Sequence, residues 1–269
     1  MRVAVAQMDC EPGDVEANCG RIVFYAEKAR KAGADLVVFP ELADTGYEMA
    51  RLREGASAFD GLPHRTVADA AAQLKIAIVC GLSERDGGRI YNSAVLVDGS
   101  GGDLGKYRKV HLFTPEPVRE ELVVSPGDSL TVARLGGARL GLMICYDLRF
   151  QEMARTLAGR GADILVTLAA WPRPRGDVFR TLCLARAIEN QVFLVAANRA
   201  GSNGPLDFCG SSLVAGPRGE LLAEACGDHE ALLLADLDLG EIAKARAELP
   251  AFRCRRGDLY QAWMSSAYP

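Results

Sequence analysis

The sequence predicts an α/β fold on three observations. Short, continuously apolar runs alternate with helix-length segments of mixed polarity, the last third carries closely spaced apolar runs of hairpin character, and no Ser/Pro/Gly linker or short-period repeat divides the chain. Val3 to Met8 is the first strand. Asp14 caps a helix whose apolar positions run through Ile22, Phe24, Tyr25 and Ala29 until Gly33 stops it. Leu36 to Phe39, apolar throughout and followed by Pro40-Glu41, is a strand buried on both faces. Residues 64–74 form a second helix, Ile76 to Val79 a strand, and Tyr91 to Val97 a strand that turns at Asp98-Gly99. The stretch from Gly105 to Gly127 is basic, then rich in proline and glutamate, without clear period, and so long that a functional loop is expected. Strands near 130–135 and 139–145, a helix after Phe150, a strand at Ile164 to Leu168 and a helix around 178–189 follow. Val192 to Ala197, Ser211 to Ala215, Leu221 to Ala225 and Ala231 to Leu237 complete the strands of one expected domain, 1–269.

A chain of 269 residues buries roughly 70–75% of its extended surface, enough for a core without disulfide or metal staples. Hydrophobic residues make up 49% and charged residues 25%, the composition of a globular protein rather than a disordered or membrane-spanning one. Acidic residues outnumber basic ones 35 to 31 and the pI is about 5.5, which disfavours nucleic acid as a partner. No apolar run of ~18 residues offers a spanning helix, and no secretory signal pattern is present. The eight cysteines are scattered, so they read as free thiols of a cytoplasmic protein. Without C-x-x-C or H-E-x-x-H, and with three distant histidines, no metal is expected, and the glycines around 99–105 form no phosphate loop, so no nucleotide cofactor is expected either.

Three residues stand where chemistry is possible. Cys145 ends the apolar run Gly141 to Ile144 at a strand-to-turn junction, where free backbone N–H groups can stabilise a thiolate; a small core cysteine would fit the same pattern. Glu41 follows a buried strand and a proline, and an apolar wall raises a carboxyl toward the range of a general base, although a solvated turn residue is the simpler alternative. Lys109 lies in a basic segment that could be an exposed face. However, Arg outnumbers Lys 25 to 6 here, and a compact ammonium suits a developing oxyanion better than a planar fork does.

Phe39-Pro40-Glu41, Gly105-Lys106-Tyr107-Arg108-Lys109, Ile144 to Phe150 (ICYDLRF) and Ala185 to Gln191 (ARAIENQ) together resemble the nitrilase superfamily of carbon–nitrogen hydrolases. The motifs occur in order, and the likeness extends to Arg255–Tyr260, nearly the whole chain. The resemblance implies a four-layer α-β-β-α sandwich and a homodimer or dimer-based oligomer. It also implies Glu41 as base, Lys109 as oxyanion stabiliser and Cys145 as nucleophile, with the backbone N–H of Tyr146 beside it. Glu120, seven residues before Gly127, matches a further glutamate of the family, and the adjacent Glu121 is the alternative.

Ala170-Trp171-Pro172 and the arginines after it look most like the omega-amidase-like branch, which hydrolyses terminal amides of 2-oxo dicarboxylic acids; Val178 and Phe179 stand where that branch usually has a His-Trp pair. The expected partner is a small amide, with Trp171 as an apolar wall and Arg173 on the substrate carboxylate, while Arg149 pairs with Asp147 or another acid. Hydrolysis of neutral amides, N-carbamoyl compounds or nitriles is the alternative, and a catalytically silent binding protein a more distant one. The aromatic tail (Tyr260, Trp263, Met264, Tyr268) suits burial across a symmetric interface.

Overall fold

The structure, a computed structural model, describes residues 1–204, 206–260 and 263. Its first half contains β1 (Arg2–Gln7), α1 (Val15–Lys31), β2 (Leu36–Val38), α2 (Met49–Gly55), α3 (Leu62–Leu74), β3 (Ala77–Asp86), β4 (Arg89–Val97) and β5 (Asp103–Arg108). The second half contains β6 (Val132–Leu135), β7 (Ala138–Ile144), α4 (Gln151–Gly159), β8 (Ile164–Ala169), α5 (Gly176–Asn190), β9 (Phe193–Asn198), β10 (Ser202–Asn203), β11 (Leu206–Asp207), β12 (Leu213–Ala215), β13 (Leu221–Glu224), β14 (Ala231–Asp236) and α6 (Gly240–Glu248).

Two six-stranded sheets result, in the orders β14-β1-β2-β3-β4-β5 and β13-β12-β9-β8-β7-β6. Each has a parallel centre, β1-β2-β3 and β7-β8-β9, flanked by antiparallel strands. The parallel strands are the continuously apolar ones, since a strand covered on both faces has no polar side. Alternate residues face opposite ways. Val3, Val5, Leu36 and Val38 meet Leu142, Val166 and Val195 between the sheets. Ala4, Ala6 and Val37 pack outward against Ile22, Tyr25 and Ala26 of α1 and Val67 and Ala71 of α3. On the far side Met153 and Leu157 of α4 and Phe179 and Cys183 of α5 cover the second sheet, so the layers are α-β-β-α. Asp14 caps α1 as expected, accepting the Ala17 N–H at 3.0 Å.

Several expectations need correction. The third strand is ten residues long rather than Ile76 to Val79, because Glu84, Arg85 and Asp86 continue it into a hairpin turned at Gly87 and Gly88. The stretch beginning at Gly105 is not loop at its start: Asp103 to Arg108 pairs with β4, and its charged side chains hide the alternation. The short helix α2, the two-residue pair β10–β11 and α6 had no sequence-level counterpart. Tyr260 and Trp263 are exposed, while Met264 and Tyr268 lie outside the described residues.

Candidate active site

Side chains with chemistry gather beyond the carboxyl ends of β2, β5, β7 and β8, where parallel α/β sheets leave free backbone groups and room for a ligand. Glu41 is placed there by a tight turn after β2, with Leu42 at φ +48°. The turn lies directly on Gly81 of β3: a Cβ at that position would come within 2.4 Å of the Pro40 carbonyl oxygen and 2.8 Å of the Glu41 Cα. Only glycine permits the approach.

Glu41 is fully buried. Its Oε1 accepts from Asn92 Nδ2 at 2.7 Å and from Lys109 Nζ at 2.8 Å, and its Oε2 from the Ala170 N–H at 2.8 Å. Burial pushes its carboxyl above the ordinary range although the Lys109 ammonium opposes the rise. Lys109, also fully buried, divides its ammonium between Glu41 and Glu120, with Glu120 Oε1 at 2.8 Å. Burial works against its charge, but Glu120 and Glu41 outweigh it and hold the ammonium protonated. Its backbone is fixed on both sides, the N–H donating to Asn92 O and the carbonyl accepting from the Gly127 N–H, each at 2.8 Å. One cation therefore serves two carboxylates, which leaves the cluster able to take up a proton.

Glu120, and not Glu121, occupies the third corner. It accepts from the Tyr47 hydroxyl at 2.8 Å and the Phe113 N–H at 2.7 Å, whereas Glu121 pairs with Arg119 at the surface. Cys145 follows β7 directly and adopts φ +46°, a left-handed conformation that a side chain holds only where its surroundings enforce it. Burial pushes its thiol well above the ordinary value, with Glu41 raising it further and Lys109 opposing, an environment that favours the thiol over the thiolate.

Asp147 supplies the enforcement. Its carboxylate accepts from the Ile144 N–H at 2.8 Å, the Tyr107 hydroxyl at 2.7 Å, and the N–H and ring Nδ1 of His111 at 3.1 and 2.8 Å. One buried acid thus ties the turn bearing Cys145 to the segment bearing Lys109. His111 in turn stacks on Phe150, with ring centroids 3.7 Å apart. Tyr47, Asn92, Tyr107, His111 and Asp147 were not anticipated. A signal existed, since Tyr107, Lys109 and His111 are two residues apart and face one side together.

Beside Cys145 lies a cleft of about 330 Å3 of free space, mouth included, lined by Tyr47, Phe113, Val118, Cys145, Tyr146, Arg149, Ala170, Trp171, Pro172 and Arg175. Trp171 is held by its N–H on Asn198 Oδ1 at 2.7 Å and by its indole donating to Arg175 O at 2.9 Å. Arg173 does not line the cleft, contrary to expectation. The helical turn Arg173–Arg175 sends its guanidinium outward to Asp228, and Arg175 faces back over the Phe113 ring at 5.8 Å. Arg149 is not paired with Asp147, whose oxygens are already taken; its guanidinium lies over the Trp171 ring at 4.9 Å. Among the described residues neither Arg149 nor Arg175 has a carboxylate within ion-pair distance. No group of three or more metal-binding side chains occurs among the described residues.

A profile of the carbon–nitrogen hydrolase family matches residues 2–247. The chain belongs to that family. Among its curated relatives in the carbon–nitrogen hydrolases, a 2-oxoglutaramate amidase of Bacillus subtilis is 37% identical over 96% of this chain and 98% of its own. A nitrilase of Pyrococcus abyssi is also 37% identical, over 97% of this chain and 99% of its own. Among solved structures, an amidase of Nesterenkonia sp. AN1, with acrylamide added at its active-site cysteine, superposes with a TM-score of 0.86 at 33% identity, covering 98% of this chain and 99% of that one. Membership makes the protein a cysteine-dependent hydrolase of carbon–nitrogen bonds.

Proposed function

We propose that the protein, acting as one carbon–nitrogen hydrolase domain, cleaves a small linear amide to a carboxylate and ammonia through a thioester on Cys145. The omega-amide of a short 2-oxo or dicarboxylic acid is the favoured substrate. Glu41 takes the thiol proton as Sγ bonds to the amide carbon, and the carbonyl electron pair moves onto oxygen. Lys109 and the Tyr146 backbone N–H hold that oxyanion, with Glu120 keeping the ammonium in place. When the C–N bond breaks, nitrogen takes its proton from Glu41 and leaves as ammonia. Water then gives a proton to Glu41 and attacks the thioester; the C–S bond breaks and the sulfur recovers its proton from Glu41.

The preference for an acidic substrate rests on Arg149 and Arg175, two cations in the cleft without an acid partner among the described residues. A substrate carboxylate would supply one and recover its lost hydration in charge-assisted hydrogen bonds. The 2-oxoglutaramate amidase relative supports the same substrate class, whereas the nitrilase relative keeps a nitrile as the alternative. Ammonia release from a panel of omega-amides, neutral amides, N-carbamoyl compounds and nitriles tests the reading. Arg175→Met should raise KM for an omega-amide of a dicarboxylic acid ~10-fold more than for an uncharged amide of equal length. A wild-type enzyme that prefers the uncharged amide would overturn the acidic preference while leaving the chemistry intact.

A homodimer or dimer-based oligomer is the expected assembly, with the exposed Tyr260 and Trp263 contributing to its interface. Light scattering at micromolar concentration would report a dimer. We propose a cytoplasmic location, a reading that the eight free thiols support because such compartments are reducing.

A further inference from the structure

The cleft beside Cys145 is not the only space in that region. A second, outer groove of about 570 Å3 of free space shares Tyr47 and Val118 with it and is lined further by Met49, Pro117 and Leu206, with Glu48, Asn203 and Gly204 as its polar and small residues. Tyr47 and Val118 are the residues that line both spaces. Tyr47 is fixed: its hydroxyl is on Glu120, its ring packs edge-on against Phe208 with centroids 6.3 Å apart, and its carbonyl accepts from Asn203 Nδ2 at 3.0 Å. Val118 is held by its N–H on Pro115 O at 3.2 Å, and its side chain packs at the edge of the cluster of Tyr47, Ala170 and Phe208, on a loop whose neighbours Glu116 and Pro117 are exposed.

We infer that Val118 sets the length of the acyl chain the enzyme accepts, and that the groove behind it is a dormant extension of the substrate site for linear aliphatic acyl groups. This rests on the amide hydrolysis proposed above. The leaving nitrogen must face Glu41, which is fully buried and leaves no room for a large substituent, so the cleft with Val118 in its wall receives the acyl chain. A chain that reaches Val118 stops there. Trimming the side chain joins the two spaces and lets further methylenes pass from water onto Met49 and Leu206.

The test uses uncharged primary amides of increasing length, from butyramide to octanamide, so that it does not depend on Arg149 or Arg175. Val118→Ala and Val118→Gly should raise the ratio of kcat/KM for hexanamide over butyramide by about tenfold. Val118→Leu should lower it. Met49→Ala should leave the ratio unchanged in the wild type, where the groove is closed off, and lower it in the Val118→Gly background, where the chain would rest on Met49. A loss of activity on all lengths in equal proportion would make Val118 merely structural and overturn the inference. So would a wild-type ratio already affected by Met49→Ala. A wild type that releases ammonia from none of these amides but does so from a nitrile or carbamoyl series would refute the amide reading, and the same length series in that chemistry would then decide the role of Val118.

Discussion

Two buried glutamates, Glu41 in the turn after β2 and Glu84 within β3, meet the same short basic segment and end in opposite states. Lys106 and Arg108 point to one side of it and grip Glu84, with Lys106 Nζ at 2.7 Å and Arg108 Nε at 3.0 Å, and Ser93 adds a hydroxyl at 2.6 Å. Lys109, facing the other way with Tyr107, is shared between Glu41 and Glu120. Burial would raise both carboxyls, but the two cations and the hydroxyl bring Glu84 down to about 2, while Glu41 stays above its ordinary value. The difference lies in the ratio of charges and in water. Two cations on one acid whose partners reach solvent make a staple; one cation on two acids in a dry site makes a proton acceptor.

If the contrast holds, substitutions in the two clusters separate activity from stability. The largest effect is expected from Cys145→Ala, which should reduce ammonia release to background while leaving Tm near that of the wild type, since the change removes one atom from a small side chain. Glu41→Gln and Lys109→Arg should each lower kcat by ~10²-fold or more, the usual scale for a lost base or oxyanion donor. Arginine cannot restore Lys109 because its planar fork does not fit a point-charge position between two carboxylates. A Lys109→Arg enzyme close to wild type in kcat would reduce Lys109 to a packing role.

Asp147→Asn sharpens the comparison from a third place, as it touches neither cluster but orients Cys145 and Lys109 together. Its amide cannot accept all four donors, so kcat should fall ~10-fold with KM little changed, read per mole of folded protein by circular dichroism. Lower Tm with unchanged kcat would confine Asp147 to stability.

The smallest effect on activity is expected from Glu84→Gln, whose cost is in stability. The folded carboxyl titrates at about 2 against an ordinary 4.5, so its contribution is complete above pH 4.5 and disappears as the pH falls toward 2. The contribution is about 1–2 kcal/mol, less than the full shift implies, because Lys106 and Arg108 are partly solvated. Wild type should therefore lose more Tm than Glu84→Gln between pH 6 and pH 3. Equal losses would mean that Glu84 is no staple.

The parallel strands were legible because double burial writes itself as unbroken apolarity, as in Leu36 to Phe39 and Ile164 to Leu168. The strand Asp103–Arg108 was hidden because Gly105 interrupts it and charges stand on both faces, Asp103 on one and Lys106 and Arg108 on the other. Glu41, Lys109 and Cys145 stand at strand ends and in recognisable motifs. Glu120 could not be told from Glu121 until a helical turn showed which one faces Lys109. Arg173 and Arg175 posed the same problem, since two arginines on one turn point apart and only folded geometry says which returns to the cleft. Asp147 carried no distinct signal, because three of its four donors come from Tyr107 and His111, some forty residues away in sequence.

If Cys145 carries the acyl group during turnover, acid-quenching the enzyme during steady-state hydrolysis of a slow amide should trap it, read first in the intact mass and then in the peptides. The expected result is a mass increase equal to the acyl group less one hydrogen, located on the peptide containing Cys145 and absent from Cys145→Ala. An adduct on another cysteine such as Cys209, or turnover that persists in Cys145→Ala, would contradict it.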